Sequence, residues 1–384
     1  MGIAPALDIS PSRPHYPLAM QFMFVAESNR LSAPAVLILL GSAGLYVASR
    51  AAVDALARFS GNSGVGRLPS PALLALGHWM PVVALAGLAT ARGLSHVALG
   101  IVFGSSVAAL SLAMGLVTYL APPSSLPASR RAWPFLLTGV MVPLLAGFSG
   151  QLTVMHALIL LVLGATAWSV WRASAAELSP AAALAAALPA LDAGTGSAPV
   201  PARSSVPVTL RAIQWLLAVG LALLGAKMTL MGTVGAEVNS RFLTTGLLAA
   251  TVLSPVVVLP IIASGTDLAH QGRSGDAVAA LVGLVMLNLF ALLPMVIVFW
   301  YLRSAGQISY RAGLTGLWPQ VEPITLSIPV WRIDLVMLTI IGFAMIPVAM
   351  GRWALGRIES VGLIVGYVAY LVASMLVATL QARI

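Results

Sequence analysis

Residues 77–110 read GHWMPVVALAGLATARGLSHVALGIVFGSSVAAL. The stretch is almost wholly apolar, yet it holds a histidine, a proline in mid-run and a Gly-Ser-Ser. A bilayer core is crossed by about 20 apolar residues in a helix, so residues 77–110 hold parts of two such helices. Pro81 lacks an N–H and frees a backbone carbonyl one turn earlier. In lipid that oxygen needs another helix, a water or an ion as partner. Gly100 and Gly104 let a neighbouring backbone come close, while Ser105 and Ser106 put hydroxyls at depth. These residues describe either a polar pocket between packed helices or ordinary helix packing.

The rest of the chain has the same character. Of its 384 residues 59% are hydrophobic and 8% charged, with mean hydropathy +0.98. A soluble domain carries about 25% charged residues, so this composition excludes a soluble surface and reads as a polytopic membrane protein. The runs are helices, because the alternation of a membrane barrel strand is absent. The net charge of +9 comes almost entirely from arginine, with Lys227 the one lysine. No basic run suits nucleic acid. There is no cysteine, which excludes disulfides and thiolate chemistry. Residues 1–31 form a polar, proline-bearing extension without a signal-peptide pattern.

Ten spans are expected, near 33–57, 68–91, 95–120, 132–148, 151–172, 209–236, 243–270, 275–303, 330–350 and 356–380. Residues 173–208, rich in Ala, Pro, Ser and Gly, read as a mobile linker, with room for one short helix. The chain thus divides into a five-helix repeat at 32–172, the linker, and a second five-helix repeat at 209–384. An odd number of spans per half gives the halves opposite orientations. Eleven arginines, Arg50 among them, are assigned to the linker side and eight to the other. This bias makes the linker cytoplasmic and both termini external. Arginine- and alanine-rich composition points to a bacterial cytoplasmic membrane.

The halves also echo each other. LLGSAGLYVASRAAVDAL (39–56) matches LLGAKMTLMGTVGAEV (223–238), with Gly41 answering Gly225; Pro143 and Gly147 precede Pro347 and Gly351 by 204 residues. Inverted five-span repeats are a plan of secondary transporters, whose sites lie at mid-membrane.

The order of residues in the opening stretch resembles the α-repeat of the cation/calcium antiporter superfamily, the sodium/calcium exchangers. That repeat runs G-T-S-x-P-E-L, then about fourteen residues to an Asp, then A-x-G-N-x-x-G-S-N. Gly77 and Pro81 match its first cluster, and Ala98, Gly100, Gly104 and Ser105 its second. In the second half Pro260 takes the proline's place and Asp276 that of the loop Asp. Asn288-Leu-Phe resembles the motif's asparagine end, and GRIESVGLIVGYVAYLV (356–372) the family's last span. The resemblance implies an all-α membrane fold of ten helices in two inverted five-helix repeats, and cation antiport by alternating access.

The liganding chemistry departs from that pattern. The two glutamates that the family uses as its main cation ligands are Val82 and Ile261; the Thr-Ser before the first proline is His78-Trp79; the first asparagine is Ser106. A dehydrated Ca²⁺ takes six to eight oxygens, several of them anionic, and a dication at low dielectric without carboxylates is prohibitive. The residues therefore argue against Ca²⁺ at the usual site and for H⁺ or a monovalent cation.

Buried ionisable groups in a helix bundle are functional candidates. His78 is either a proton carrier or a neutral histidine bonded to the carbonyl that Pro81 frees. Asp267 is either a displaced carboxylate ligand or an interfacial acid. Asn288 either coordinates through its oxygen or bonds between helices. With Ser105 and Ser106 they form the candidate ion-binding set, and Pro81 and Pro260 are the expected helix breaks. Lys227 either snorkels to an interface or pairs with Asp267 or Glu237. Asp334 and Glu359 open spans as helix N-terminal acids, and the tryptophans fit an aromatic belt. No enzyme motif, cofactor site or metal-ligand spacing is present; the expected partners are the bilayer and a small cation or proton, not nucleic acid. A rival reading is a relic of the exchanger fold that binds a partner without transporting. Geometry separates the two: His78 and Asp267 facing each other within reach of one water favours transport, and either one facing lipid or an interface favours the relic.

Overall fold

The computed structural model describes residues 32–62, 70–121, 127–192, 208–239, 244–312, 323–327, 330–350, 352–353 and 355–381. The polar extension at 1–31 lies outside them. Four helices of the first half are unbranched: α1 (Ser32–Asn62), α2 (Ser70–Ala91), α4 (Pro127–Ser149) and α5 (Val154–Asp192). Between them α3 runs Ser95–Ala108, through a π-helical turn Ala109–Ala113, to Met114–Leu120. In the second half α6 (Val208–Asn239) and α10 (Arg357–Gln381) are regular. Helix α7 comprises Thr245–Leu248, a π turn Ala249–Leu253 and Ser254–His270. Helix α8 comprises Ser274–Leu287, a π turn Asn288–Leu292 and Leu293–Ala312. Helix α9 starts as a π segment, Val330–Leu335, continues as Val336–Ala344, and steps at Met345 into Ile346–Ala349. A two-residue antiparallel pair, β1 (Gln151–Leu152) with β2 (Ile324–Thr325), ties the α4–α5 turn to the segment before α9.

Eight of these helices are long and apolar enough to cross a membrane: all but α4, whose apolar stretch is Trp133–Ser149, and the interrupted α9. The chain is a multi-pass all-α membrane protein. Helices α3 and α8 are its axis: 94% and 83% of their most apolar windows are buried, against 22% for α5 and α10 on the rim. Rim residues such as Leu39, Leu216 and Leu217 are exposed, as a lipid-facing surface requires.

Corresponding helices of the two halves meet. Helices α1 and α6 pack at Gly41 and Gly225: a Cβ on Gly225 would stand 2.8 Å from the Gly41 carbonyl, and one on Gly41 2.6 Å from the Gly225 carbonyl. Helices α4 and α9 also bond to each other. The Trp133 indole donates to the Gly342 carbonyl at 2.8 Å, and the Trp331 indole to that of Leu144 at 2.8 Å.

Several expectations need correction. Neither Pro81 nor Pro260 breaks its helix, and α2 and α7 run through both. A proline removes one intrahelical bond, and in a packed membrane bundle the remaining bonds and neighbours hold the helix. The irregularity sits instead in the four π turns among the described residues. Helix α5 does not stop near residue 172 but continues to Asp192, since its alanine-rich tail favours helix; residues 193–207 lie outside the described set. Trp133 and Trp171 are buried inside the protein rather than placed in an interfacial belt.

Candidate functional site

Two contacts mark the ends of the bundle. At one end Ser70, opening α2, accepts from Arg273, before α8, at 3.3 Å. At the other, His96, opening α3, is 3.0 Å from the Thr245 hydroxyl, opening α7. Between them the expected site residues fall into two groups, one midway and one toward the Ser70 end.

The midway group lies where α3 crosses α7 and α8. Gly104 makes the crossing possible: a Cβ there would come within 3.0 Å of the Ala250 Cα and 3.1 Å of its carbonyl on α7. The Ser254 hydroxyl fills the gap, donating to the Ala249 and Gly100 carbonyls at 2.8 and 3.3 Å. On the facing side Asn288 opens the π turn of α8. Its amide donates to Ser105 at 3.0 Å and Ser106 at 3.3 Å. Both serines in turn donate to the Val102 carbonyl, at 3.2 and 2.7 Å. All three side chains are fully buried. The sequence-level grouping of Ser105, Ser106 and Asn288 therefore meets in space. The proton directions are consistent: Asn288 N–H to serine oxygen, serine O–H to backbone. One atom is left over. Asn288 Oδ1 is buried with no hydrogen-bond partner among the described residues.

The second group gathers three helices around His78, which is fully buried. Its Nδ1 is 2.7 Å from the Ser49 hydroxyl of α1, and its Nε2 is 3.0 Å from the Ser264 hydroxyl of α7. Ser264 also accepts from Arg50 at 3.1 Å. That bond leaves the Ser264 proton free for Nε2, in the tautomer whose Nδ1–H donates to Ser49. Arg50 stands 3.7 Å from the Asp267 carboxylate, both side chains about half exposed at 44% and 61%. Asp267 thus reaches His78 only through Arg50 and Ser264. It faces outward, the arrangement named above as favouring the relic.

Arg50, counted above with the linker-side arginines, sits within α1, twelve residues before its end. The signal for its place was present: residues 50–60 contain neither proline nor glycine, so the helix has no reason to stop earlier. Lys227 is exposed and the partner of Asp267 is Arg50, not Lys227. Glu359 accepts from the Gly356 N–H at 3.0 Å as a helix N-terminal cap. Asp334, assigned the same role, is instead buried inside the π segment of α9 and accepts from the Tyr370 hydroxyl at 3.0 Å.

Val82 and Ile261, at the positions of the family's glutamates, are both in the core at 0% and 2% exposure. Among the described residues no group of three acidic or histidine side chains could hold a metal ion.

Solved structures share this arrangement of helices. The chain is similar to an H⁺/Ca²⁺ exchanger, CAX, at 11% identity, with a TM-score of 0.67 over 96% of this chain and 90% of the exchanger. It is similar to the sodium-calcium exchanger NCX_Mj at 14% identity, with a TM-score of 0.57 over 89% of this chain and 98% of that one. No family model matches the chain, and no curated protein matches it. At these identities the likeness establishes the fold, in agreement with the superfamily that the α-repeat motifs resemble.

Proposed function

We propose that this protein is a secondary transporter, a cation antiporter working by alternating access on two inverted five-helix repeats, and coupled to H⁺ or a monovalent cation. The observation that carries the reading is the partnerless Oδ1 of Asn288 at the helix crossing. An unsatisfied buried acceptor costs about 1–3 kcal/mol, and a cation or a water-borne proton removes that cost. The side chains bonded to Asn288, Ser105 and Ser106, are neutral, which suits a single charge better than two.

The Ser49–His78–Ser264 chain supplies the coupling path. An imidazole takes a proton on one nitrogen and releases it from the other. Here each nitrogen faces a hydroxyl, and the chain ends at the half-exposed Arg50–Asp267 pair.

The rival reading is a partner-binding relic that does not transport. It is favoured by the apolar core positions of Val82 and Ile261 and by the outward-facing Asp267. Flux in proteoliposomes separates the two. Gradients of H⁺, Na⁺, K⁺ and Ca²⁺ are imposed in turn on wild type, His78→Ala and Asn288→Ala. A monovalent or proton flux abolished by both substitutions supports the antiporter. Ca²⁺/Na⁺ exchange refutes the charge argument. No flux under any gradient from folded protein leaves the relic.

A further inference from the structure

A cavity away from the His78 group, bordering the Gly104 crossing only at Ala250, opens at the His96–Thr245 end of the bundle. It has a volume of about 370 Å³ and lies between the starts of α3, α7 and α9 and the last turns of α10. Its mouth is exposed at Thr244 and Ser327, and its interior is buried at Ala250, Val330, Asp334 and Ser374. Both halves contribute to it.

Asp334 is the one formally charged residue in its lining. The carboxylate is 3% exposed and accepts the Tyr370 hydroxyl at 3.0 Å. Among the described residues no basic side chain pairs with it: the ion pairs there join Arg50 to Asp267 and Arg273 to Asp276. Arg332, two residues away, lies over the Trp331 ring at 5.8 Å instead. A carboxylate held in a membrane bundle without a basic partner marks a ligand site by default. The other polar groups are largely committed to local bonds. Ser374 donates to the Tyr370 carbonyl at 2.9 Å, Thr244 accepts the Leu247 N–H at 3.2 Å, and Thr245 pairs with His96.

We infer that this cavity binds a small amphiphilic monocation, an alkylammonium, with Asp334 as its counter-ion. The volume equals about twelve water molecules at about 30 Å³ each, far more than a bare ion fills. A bare ion wants a ring of oxygens, which these committed hydroxyls do not form. The walls between floor and mouth, at Leu247, Ala250, Val330 and Ala378, are apolar. They suit a ligand that carries its own apolar body behind one charged head. The site is separate from the transport reading and is tested without a gradient.

The test is calorimetric titration of the purified full chain with n-butylammonium, with 1-butanol as the neutral isostere and NaCl as the inorganic cation. Saturable butylammonium binding is expected, weakened at least about tenfold by Asp334→Asn. Ala378→Leu narrows the cavity while leaving the carboxylate, and is expected to weaken binding to a similar degree. It decides the matter if Asp334→Asn does not fold. Equal binding of butanol, unchanged binding by Asp334→Asn or by Ala378→Leu, displacement of butylammonium by NaCl at equal concentration, or no saturable binding by folded wild type would each overturn the proposal.

Discussion

Asn288 shares its amide protons between Ser105 and Ser106, and each serine covers for the other. Ser105→Ala or Ser106→Ala alone leaves one acceptor in place and is expected to cost about 1 kcal/mol. The double substitution strands both amide protons in the core and is expected to cost about 3 kcal/mol or more, beyond the sum of the singles. Thermal unfolding of the three variants in detergent reads this directly, and strict additivity would sink the shared-acceptor geometry. The cluster was legible in the sequence because each member has a motif position: Ser105 and Ser106 end one α-repeat and Asn288 the other. The loss of carboxylates at Val82 and Ile261 was equally plain. Ser49 and Arg50 were missed because no motif marks them. Their roles come from the packing of α1 against α2 and α7, which no local pattern announces. Asp334 was misjudged for a related reason: an acid at a helix start reads as a cap, and only the fold shows that this start is buried.

At the level of elements, the glycines that matter are those whose missing side chain is occupied by a neighbouring backbone. Gly41 and Gly225 each meet the other's carbonyl where α1 and α6 cross. Gly41→Ala and Gly225→Ala are therefore expected to destabilise to a similar extent, by about 1–3 kcal/mol, because the helices must separate to admit the methyl group. Gly87 and Gly220 are helical too, but nothing stands within 4 Å of where their Cβ would be. Alanine there is expected to be neutral or to stabilise by up to about 1 kcal/mol through helix propensity. Thermal unfolding of the four single variants compares the pairs. Destabilisation at Gly87 equal to that at Gly41 would show that the crossing is not what constrains these positions. Hydropathy made most helix positions readable, because about 20 apolar residues in lipid admit little else, but not the ends of α5 and α8, which run on to Asp192 and Ala312. The π turns were not readable, since an extra residue in a helical turn leaves the apolar run unbroken. Yet one of these turns begins at Asn288, so the irregularity and the candidate site coincide.

For the whole molecule, the open question is how many helices cross. The eight long apolar helices divide four and four between the halves, and α4 and α9 are the fifth member of each. The alternatives differ in one observable. With five crossings before the linker, residues 193–207 lie on the opposite side from residue 1; with four, they lie on the same side. The two C-terminal placements do not discriminate, because eight and ten are both even. The geometry favours five. The apolar stretch of α4, Trp133–Ser149, covers about 25 Å at 1.5 Å per residue, close to a core of about 30 Å, and Arg130 and Arg131 precede it. Its bonds with α9 bind the two as a pair, as α1 and α6 are paired. The chain has no cysteine, so single cysteines introduced as Ser10→Cys and Ala193→Cys report without background. Labelling intact cells with a membrane-impermeant maleimide is expected to modify Ser10→Cys and spare Ala193→Cys until the membrane is opened. Modification of both, or of neither, in intact cells would mean four crossings in the first half. The two halves would then share one orientation, and without opposed halves the alternating-access reading would lose its basis even if the fold and the Asn288 cluster stand as described.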